Sequence, residues 1–107
     1  MRTIHKYLLG NGFGVHTLTI SGENVEILSI GLQSPIMFGY TGTPYGEEIY
    51  LWALLDKDPN STVVTTVKIH LYGTGWELPS NVALYHIGTV QIKDIVYHVF
   101  QEIQQEI

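Results

Sequence analysis

The chain has 107 residues, of which 45 % are hydrophobic and 14 % charged, and its formal net charge at pH 7 is −5. This size and apolar fraction indicate a single domain over residues 1–107 and exclude an intrinsically disordered chain. The negative charge argues against binding to duplex nucleic acid, because no general field attracts a polyanion. The absence of cysteine excludes disulfides, thiolate catalysis and cysteine-containing metal centres.

The sequence also argues against membrane insertion. No apolar run reaches the roughly 18 residues that a membrane-spanning helix needs, and residues 1–10 lack the apolar stretch of a signal peptide. We therefore expect a cytoplasmic protein without membrane contact. No cofactor is predicted, since the glycine clusters at 10–14 and 73–75 do not open a predicted helix and have the composition of left-handed turns.

Alternating apolar and polar residues predict three strands in the first third of the chain: residues 3–9, 16–21 and 25–32. The breaks between them, at 10–14 and 21–24, contain the glycines, asparagines and serines typical of turns.

Two further strands are predicted in the middle of the chain. Residues 49–55 are apolar at every position, as expected for a central strand covered on both faces. After a loop at 56–61, residues 62–72 alternate. One face of this strand then holds Val63, Thr65, Val67, Ile69 and Leu71, and the other holds Val64, Thr66, Lys68, His70 and Tyr72.

The strongest local pattern is a C-terminal hairpin, in which 84–92 and 95–101 flank a two-residue turn at Lys93-Asp94. Its predicted core face holds Gly88, Val90, Ile92, Ile95, Tyr97 and Val99. Its opposite face holds Ile87, Thr89, Gln91, Val96, His98 and Phe100. Because Thr89 lies opposite His98 on this mixed face, we expect an interface or a shallow pocket there.

Six to seven short antiparallel strands without a crossover helix predict an all-β fold, either a small β-sandwich or a partly open barrel. Residues 102–107 are expected to form a tail. Exposed edge strands and this tail favour self-association, so a homo-oligomer is predicted.

Residues 33–48 contain prolines and glycines together with Phe38, Tyr40 and Tyr45. Such a long, aromatic, irregular loop is uncommon in a small domain, and it is often functional or packed onto a partner. We therefore include Tyr40 and Tyr45 among the candidate ligand-binding residues.

No motif in the sequence specifies catalysis or metal binding. Asp56, Asp58 and Asn60 have the spacing of the first half of a calcium loop, but the sixth and twelfth positions are wrong, so a turn is the better interpretation. The five histidines lack the spacing of metal ligands on one strand and are interpreted as scattered surface residues. No catalytic and no metal-binding residue is predicted.

The best candidate ligand site is the strand end and turn from Tyr72 to Trp76. Its candidate residues, with the two loop tyrosines, are Lys68, Tyr72, Thr74, Trp76, Tyr40 and Tyr45. Trp76 has two interpretations: a lid over the open end of the core, which we favour, and a stacking surface for a planar ligand with Thr74 as a hydrogen-bond donor.

Four segments resemble a family of small, uncharacterised bacteriophage and prophage proteins of about one hundred residues: Leu51-Trp52-Ala53-Leu54-Leu55-Asp56, Ile69-His70-Leu71-Tyr72-Gly73-Thr74-Gly75, Tyr85-His86-Ile87-Gly88-Thr89 and Tyr97-His98-Val99-Phe100. The first strand, from Ile4 to Leu9, is similar as well, and residues 31–48 diverge most. The resemblance implies a phage origin, hence the cytoplasm of an infected bacterium, and no established activity.

Three classes of function remain open. The first is a phage accessory protein that counters a host defence by binding a nucleotide-derived signal without catalysis. The second is a protein-binding module that blocks a host protein or serves in the virion or its assembly, using the aromatic loop at 33–46. The third and least favoured is a small phosphodiester hydrolase that uses histidines and carboxylates.

Overall fold

The computed structural model describes residues 1–33 and 48–103, and it has seven antiparallel strands over that part of the chain. The strands are β1 (Arg2–Gly10), β2 (Gly14–Ser21), β3 (Glu23–Gln33), β4 (Glu48–Asp56), β5 (Val64–Tyr72), β6 (Ala83–Ile92) and β7 (Ile95–Ile103). The described residues contain no helix, so the all-β prediction is confirmed.

The strands form two sheets. The three-stranded sheet has the order β1-β4-β3, and the four-stranded sheet has the order β2-β5-β7-β6. The sheets are not closed into a barrel, and the arrangement is that of a small β-sandwich. The predicted loop at 56–61 connects β4 in one sheet to β5 in the other.

The core lies between the sheets and is built mainly from alternate residues of the central strands β4, β5 and β7, with one residue each from the edge strands β1 and β2. Its buried hydrophobic residues are Leu9, Ile20, Ile49, Leu51, Ala53, Leu55, Val67, Ile69, Leu71, Tyr97 and Val99. Removing such a side chain from water stabilises the fold by about 1.5–3 kcal/mol for a residue the size of valine or leucine. The predicted inner face of β5 is confirmed from Thr65 onward, whereas Val63 precedes the strand and is 47 % exposed.

The prediction that β4 is covered on both faces was wrong. Ile49, Leu51, Ala53 and Leu55 are buried, but the alternate residues 50, 52 and 54 are only partly buried. The reason is that β4 is central within its sheet, while the other sheet of the sandwich covers only one of its faces.

The C-terminal hairpin is confirmed, with Ile92 paired to Ile95 and Lys93 in a left-handed conformation at φ 54°. One of its face assignments was wrong. Ile87 packs against the core, because the register shifts between His86 and Gly88 and interrupts the alternation. Ile95 is on the predicted face, paired with Ile92, but it lies beside the turn at the end of the strand and is 47 % exposed.

The junction between β5 and β7 is short. Ile69 to Tyr72 pair with His98 to Gln101; β5 ends at Tyr72, and the first half of β5 does not pair with β7. β7 continues to Ile103, two residues into the segment predicted as a tail. Tyr40 and Tyr45 of the predicted aromatic loop lie outside the described residues.

Candidate functional site

The outer face of the four-stranded sheet carries a set of polar and aromatic side chains. Because Ile69 and Leu71 point into the core, their neighbours His70 and Tyr72 belong to the opposite face of β5. The register pairs Tyr72 with His98 and His70 with Phe100. The short β5–β7 junction therefore brings these four side chains together on one surface.

His98 is held by hydroxyl groups at both ring nitrogens. Its Nε2 lies 2.8 Å from Thr74 Oγ1, and its Nδ1 lies 3.2 Å from Thr89 Oγ1. Thr89 Oγ1 also lies 3.1 Å from Nε2 of His86. A hydroxyl can both donate and accept, so either neutral tautomer of His98 can keep both contacts. This row of hydrogen bonds fixes the plane of the imidazole at the surface.

His70 is buried, although the sequence predicted a surface histidine. It is 3 % exposed because the side chains around it on the outer face cover it. Its Nδ1 lies 2.7 Å from the Tyr72 hydroxyl and its Nε2 lies 3.0 Å from Oε1 of Glu102. Lys68 Nζ approaches the other oxygen of the Glu102 carboxylate at 3.9 Å.

The Tyr72 hydroxyl and the Glu102 carboxylate lie at the two ring nitrogens of His70. Burial, and secondarily the negative charge of Glu102, raise the pKa of the Tyr72 phenol above its ordinary value. The phenol is protonated at neutral pH, and its hydroxyl can donate to Nδ1 of His70 or accept from it, while Nε2 of His70 faces the carboxylate of Glu102. In this arrangement both ring nitrogens of the buried imidazole are satisfied.

A shallow cleft lies beside His98, where β5 ends. It is lined by Tyr72, Gly73, Thr74, Gly75, Trp76, Leu78, His98 and Phe100, and its volume is about 180 Å³. Gly75 adopts a left-handed φ of 86°, as predicted for this glycine turn. The turn places Thr74 and Trp76 on the rim of the cleft.

Trp76 has features of both its predicted roles. Its ring centroid lies 4.6 Å from that of Phe13, which lies 4.7 Å from the ring of the buried Tyr97. This aromatic row covers one end of the core, as a lid would. The side chain nevertheless remains 52 % exposed and lines the cleft, so it is also accessible to a ligand.

The structure brings some of the candidate ligand residues together and separates others. Tyr72, Thr74 and Trp76 line the same cleft. Lys68 lies further along β5, on a groove of about 290 Å³ that it shares with Tyr85 and Glu102. Tyr40 and Tyr45 lie outside the described residues.

Sequence reasoning did not select His98 and Phe100, which complete the cleft. The available signal was the hairpin register, which placed Thr89 opposite His98 on a mixed face. That register could not bring in Thr74 or Tyr72, because their position depends on the pairing of β5 with β7.

Elsewhere in the described residues, the candidate motifs form turns and ion pairs. Asp58 accepts hydrogen bonds from the backbone N–H groups of Asn60 and Ser61, at 2.9 Å each, as expected for the predicted turn. Asp56 contacts Arg2 and Asn24. Within residues 1–33 and 48–103 no three histidines or carboxylates are placed to hold a metal ion. In the same ranges, no helix has the length and hydrophobicity needed to cross a membrane.

Comparison with known proteins assigns a family to the chain but no activity. No curated protein and no solved structure matches it. A family model described as a domain of unknown function, DUF7352, matches residues 1–107, which is the whole of the given sequence. The chain therefore belongs to this uncharacterised family of domains of about one hundred residues.

Proposed function

We propose that the chain is a non-catalytic binding protein whose outer-face cleft holds a small, planar, nucleotide-derived molecule. One observation carries the proposal: Tyr72, Thr74 and Trp76 line a single cleft with His98 and Phe100. The aromatic rings offer faces on which a base stacks, at about 1–3 kcal/mol per base. The hydroxyl of Thr74 and the imidazole of His98 offer directional hydrogen bonds to the same ligand.

The size and charge of the cleft indicate which part of a ligand it can hold and by which interactions. Its volume of about 180 Å³ is below the roughly 300–1,000 Å³ of typical ligand pockets. We therefore expect the cleft to take one ring system, with sugar and phosphate groups outside it. No lysine or arginine is among its lining residues in the described part of the chain, so selectivity would come from stacking and neutral hydrogen bonds.

The biological role that we infer is sequestration. A protein of phage origin, acting in the cytoplasm of an infected bacterium, would counter a defence pathway by lowering the free concentration of its signal molecule. Such a role needs affinity and copy number but no catalytic group. The resemblance to phage proteins supports this role.

The proposal is tested by thermal-shift measurements against cyclic dinucleotides, cyclic trinucleotides, cyclic oligoadenylates and NAD-derived signals. A ligand that binds only the folded state raises the melting temperature. We expect a shift of several degrees, and recovery of the intact compound after heat denaturation. Trp76→Ala and Thr74→Val should abolish the shift, whereas Tyr85→Ala, an exposed aromatic outside the cleft, should retain it.

Two outcomes would contradict sequestration. Recovery of a cleaved compound would make the chain a hydrolase, and the absence of a shift with every compound would reject nucleotide binding for this panel. A protein-binding role would then take precedence. Tyr85, which is 64 % exposed on the edge strand β6, favours protein binding. Of the loop at 33–46 that is predicted to bind a protein, only residue 33 is among the described residues. Pull-down of a host or virion protein from infected cells would test it.

A further inference from the structure

The outer face of the three-stranded sheet is apolar in its centre. Ile4 and Leu8 point outward from β1 and are 58 % and 52 % exposed. The register places Ile4 beside Leu54 and Leu8 beside Tyr50, and Trp52 lies between these rows. Within the described part of the chain, no other element packs on this face. An exposed apolar surface of this kind marks an interaction site.

Charged residues of opposite sign lie on the two edge strands of the same face. The β1 edge carries Arg2 and Lys6, whereas the β3 edge carries Glu23 and Glu26, and all four are exposed. Arg2 approaches Asp56 at 3.7 Å, whereas Lys6 reaches across β4: its Nζ lies 4.9 Å from the centre of the Tyr50 ring and donates to Gln33 of β3 at 2.8 Å. The β1 edge is therefore cationic at Arg2, the centre is apolar apart from the Lys6 ammonium, and the β3 edge is acidic.

The register fixes how the two edges correspond. Arg2 and Glu23 both pair with Asp56, so they lie at the same level on opposite sides of β4. Ile4 and Glu26 likewise both pair with Leu54. A copy of this face, turned over about an axis parallel to β4, would present its cationic edge to the acidic edge at the same level.

We propose that a second copy of this chain packs on the outer face of the three-stranded sheet, with the two-fold axis parallel to β4. In this dimer, Arg2 opposes Glu23 of the partner subunit, and the apolar centres meet. A two-fold axis across the strands would instead place β1 on β1 and bring like charges together. The charge pattern thus selects a self-complementary, isologous contact of defined orientation.

The size of the face sets the expected affinity. Three strands about 4.8 Å apart and eight residues long cover roughly 14 by 26 Å. That projected area is below the roughly 800 Å² per partner of a standard interface. We therefore expect a weak, reversible dimer whose dissociation constant rises with added salt. The cleft around His98 lies on the other sheet and stays accessible in both subunits.

Sedimentation equilibrium of the full chain, from micromolar to millimolar concentration, tests the contact. The mass should rise from 12.0 kDa towards twice that value. Leu8→Asp should raise the dimer dissociation constant at least about tenfold. Val15→Asp is the matched control, because Val15 is 53 % exposed on the four-stranded sheet, and it should leave dimerisation unchanged. Circular dichroism verifies that both variants fold.

A charge-reversal pair tests the orientation. In a homodimer of Arg2→Glu two carboxylates would oppose each other at the level of Asp56, and in a homodimer of Glu23→Arg two guanidinium groups would, so each variant alone should be monomeric. An equimolar mixture should form heterodimers, because each edge then faces its opposite charge. A monomeric wild-type chain at every concentration, a dimer that survives Leu8→Asp, or a mixture that stays monomeric would overturn the proposal.

Discussion

The two outer faces of the sandwich are built by the same strand alternation and differ in how their side chains are held. On the four-stranded sheet, His70 and His98 each have both ring nitrogens hydrogen-bonded, so the orientation of the buried His70 ring and of the more accessible His98 ring is fixed. On the three-stranded sheet, Ile4 and Leu8 are exposed and have no directional contacts to make. The first face is suited to recognising the shape and hydrogen bonds of a small molecule. The second is suited to burying area against another protein surface.

The largest expected difference in stability loss is between substitutions on the inner face and on the outer face of the three-stranded sheet. Leu51 is fully buried on the inner face of β4, so Leu51→Ala should lower the free energy of unfolding by about 2–5 kcal/mol. Leu8→Ala, on the outer face, should change it by no more than about 0.5 kcal/mol. Chemical denaturation measures both values at a concentration where the chain is monomeric. Equal losses would show that the outer face is part of the core.

A smaller difference in stability loss is expected between substitutions of His70 and His98, the two hydrogen-bonded histidines of the four-stranded sheet. His70→Ala removes the partner of the Tyr72 hydroxyl and of Glu102 in a buried setting, and it should cost about 1–3 kcal/mol of stability. His98→Ala should cost less than about 1 kcal/mol, because water can replace its contacts at the surface. Ligand affinity should respond in the opposite order. Denaturation of both variants measures the loss of stability, and thermal-shift titration measures the loss of ligand affinity.

The ionisation of two tyrosines separates the effect of burial on a phenol pKa from the effect of a neighbouring carboxylate. Burial raises the pKa of Tyr7 and of Tyr72, and Glu102 raises that of Tyr72 further. Glu102→Gln should therefore lower the pKa of Tyr72 and leave Tyr7 unchanged. Phenolate absorbance during an alkaline titration, with Tyr72→Phe and Tyr7→Phe to assign each transition, measures both. A shift of Tyr7 alone would contradict the assignment of Glu102 as a neighbour of Tyr72.

The same raised pKa fixes the sign of the alkaline response. Both the folded and the unfolded chain keep Tyr72 protonated well below pH 10, so stability there does not depend on this group. Above about pH 10 the unfolded chain ionises first, and the free energy of unfolding falls as pH rises through the folded-state pKa. Tyr72→Phe should reduce this fall. Denaturation curves at several alkaline pH values provide the check.

The smallest expected effect concerns the two tryptophans and the glycines beneath them. A Cβ added at Gly73 would lie 2.8 Å from Nε1 of Trp76, so that ring must move. A Cβ at Gly31 would lie 3.2 Å from the Trp52 ring, which needs a shift of only a few tenths of an ångström. Gly73→Ala should change Trp76 emission and weaken ligand binding, whereas Gly31→Ala should leave ligand binding intact. Fluorescence in Trp52→Phe and Trp76→Phe backgrounds separates the two signals.

Local patterns were sufficient to predict most of the strands. The alternation from Thr65 to Leu71 and the short turn at Lys93-Asp94 depend on neighbours in the chain, so the inner face of β5 and the C-terminal hairpin follow from sequence. Ile87 was misplaced because its register shift leaves no mark in the alternation. The burial of His70 was missed because the side chains that cover it come from β7 as well as from β5.

The candidate site was predictable only in part. Tyr72, Thr74 and Trp76 lie within one short segment, and their aromatic and hydroxyl groups indicated a ligand surface. His98 and Phe100 join them through the four-residue junction of β5 with β7. That pairing links segments about 28 residues apart, and no local pattern specifies it. Lys68 lies on the same face of β5 as Tyr72 but nearer the start of the strand. It therefore lines the groove with Tyr85 and Glu102 and not the cleft.

An NMR titration of the isotope-labelled chain with the compound that gives the largest thermal shift tests the central claim most directly. The account predicts chemical-shift changes at Thr74, His98, Phe100 and the Trp76 indole N–H. The signals of Ile4, Leu8 and the Trp52 indole should remain unchanged. Changes confined to the three-stranded sheet, or no changes at saturating compound, would contradict the assignment of the four-stranded sheet as the ligand face.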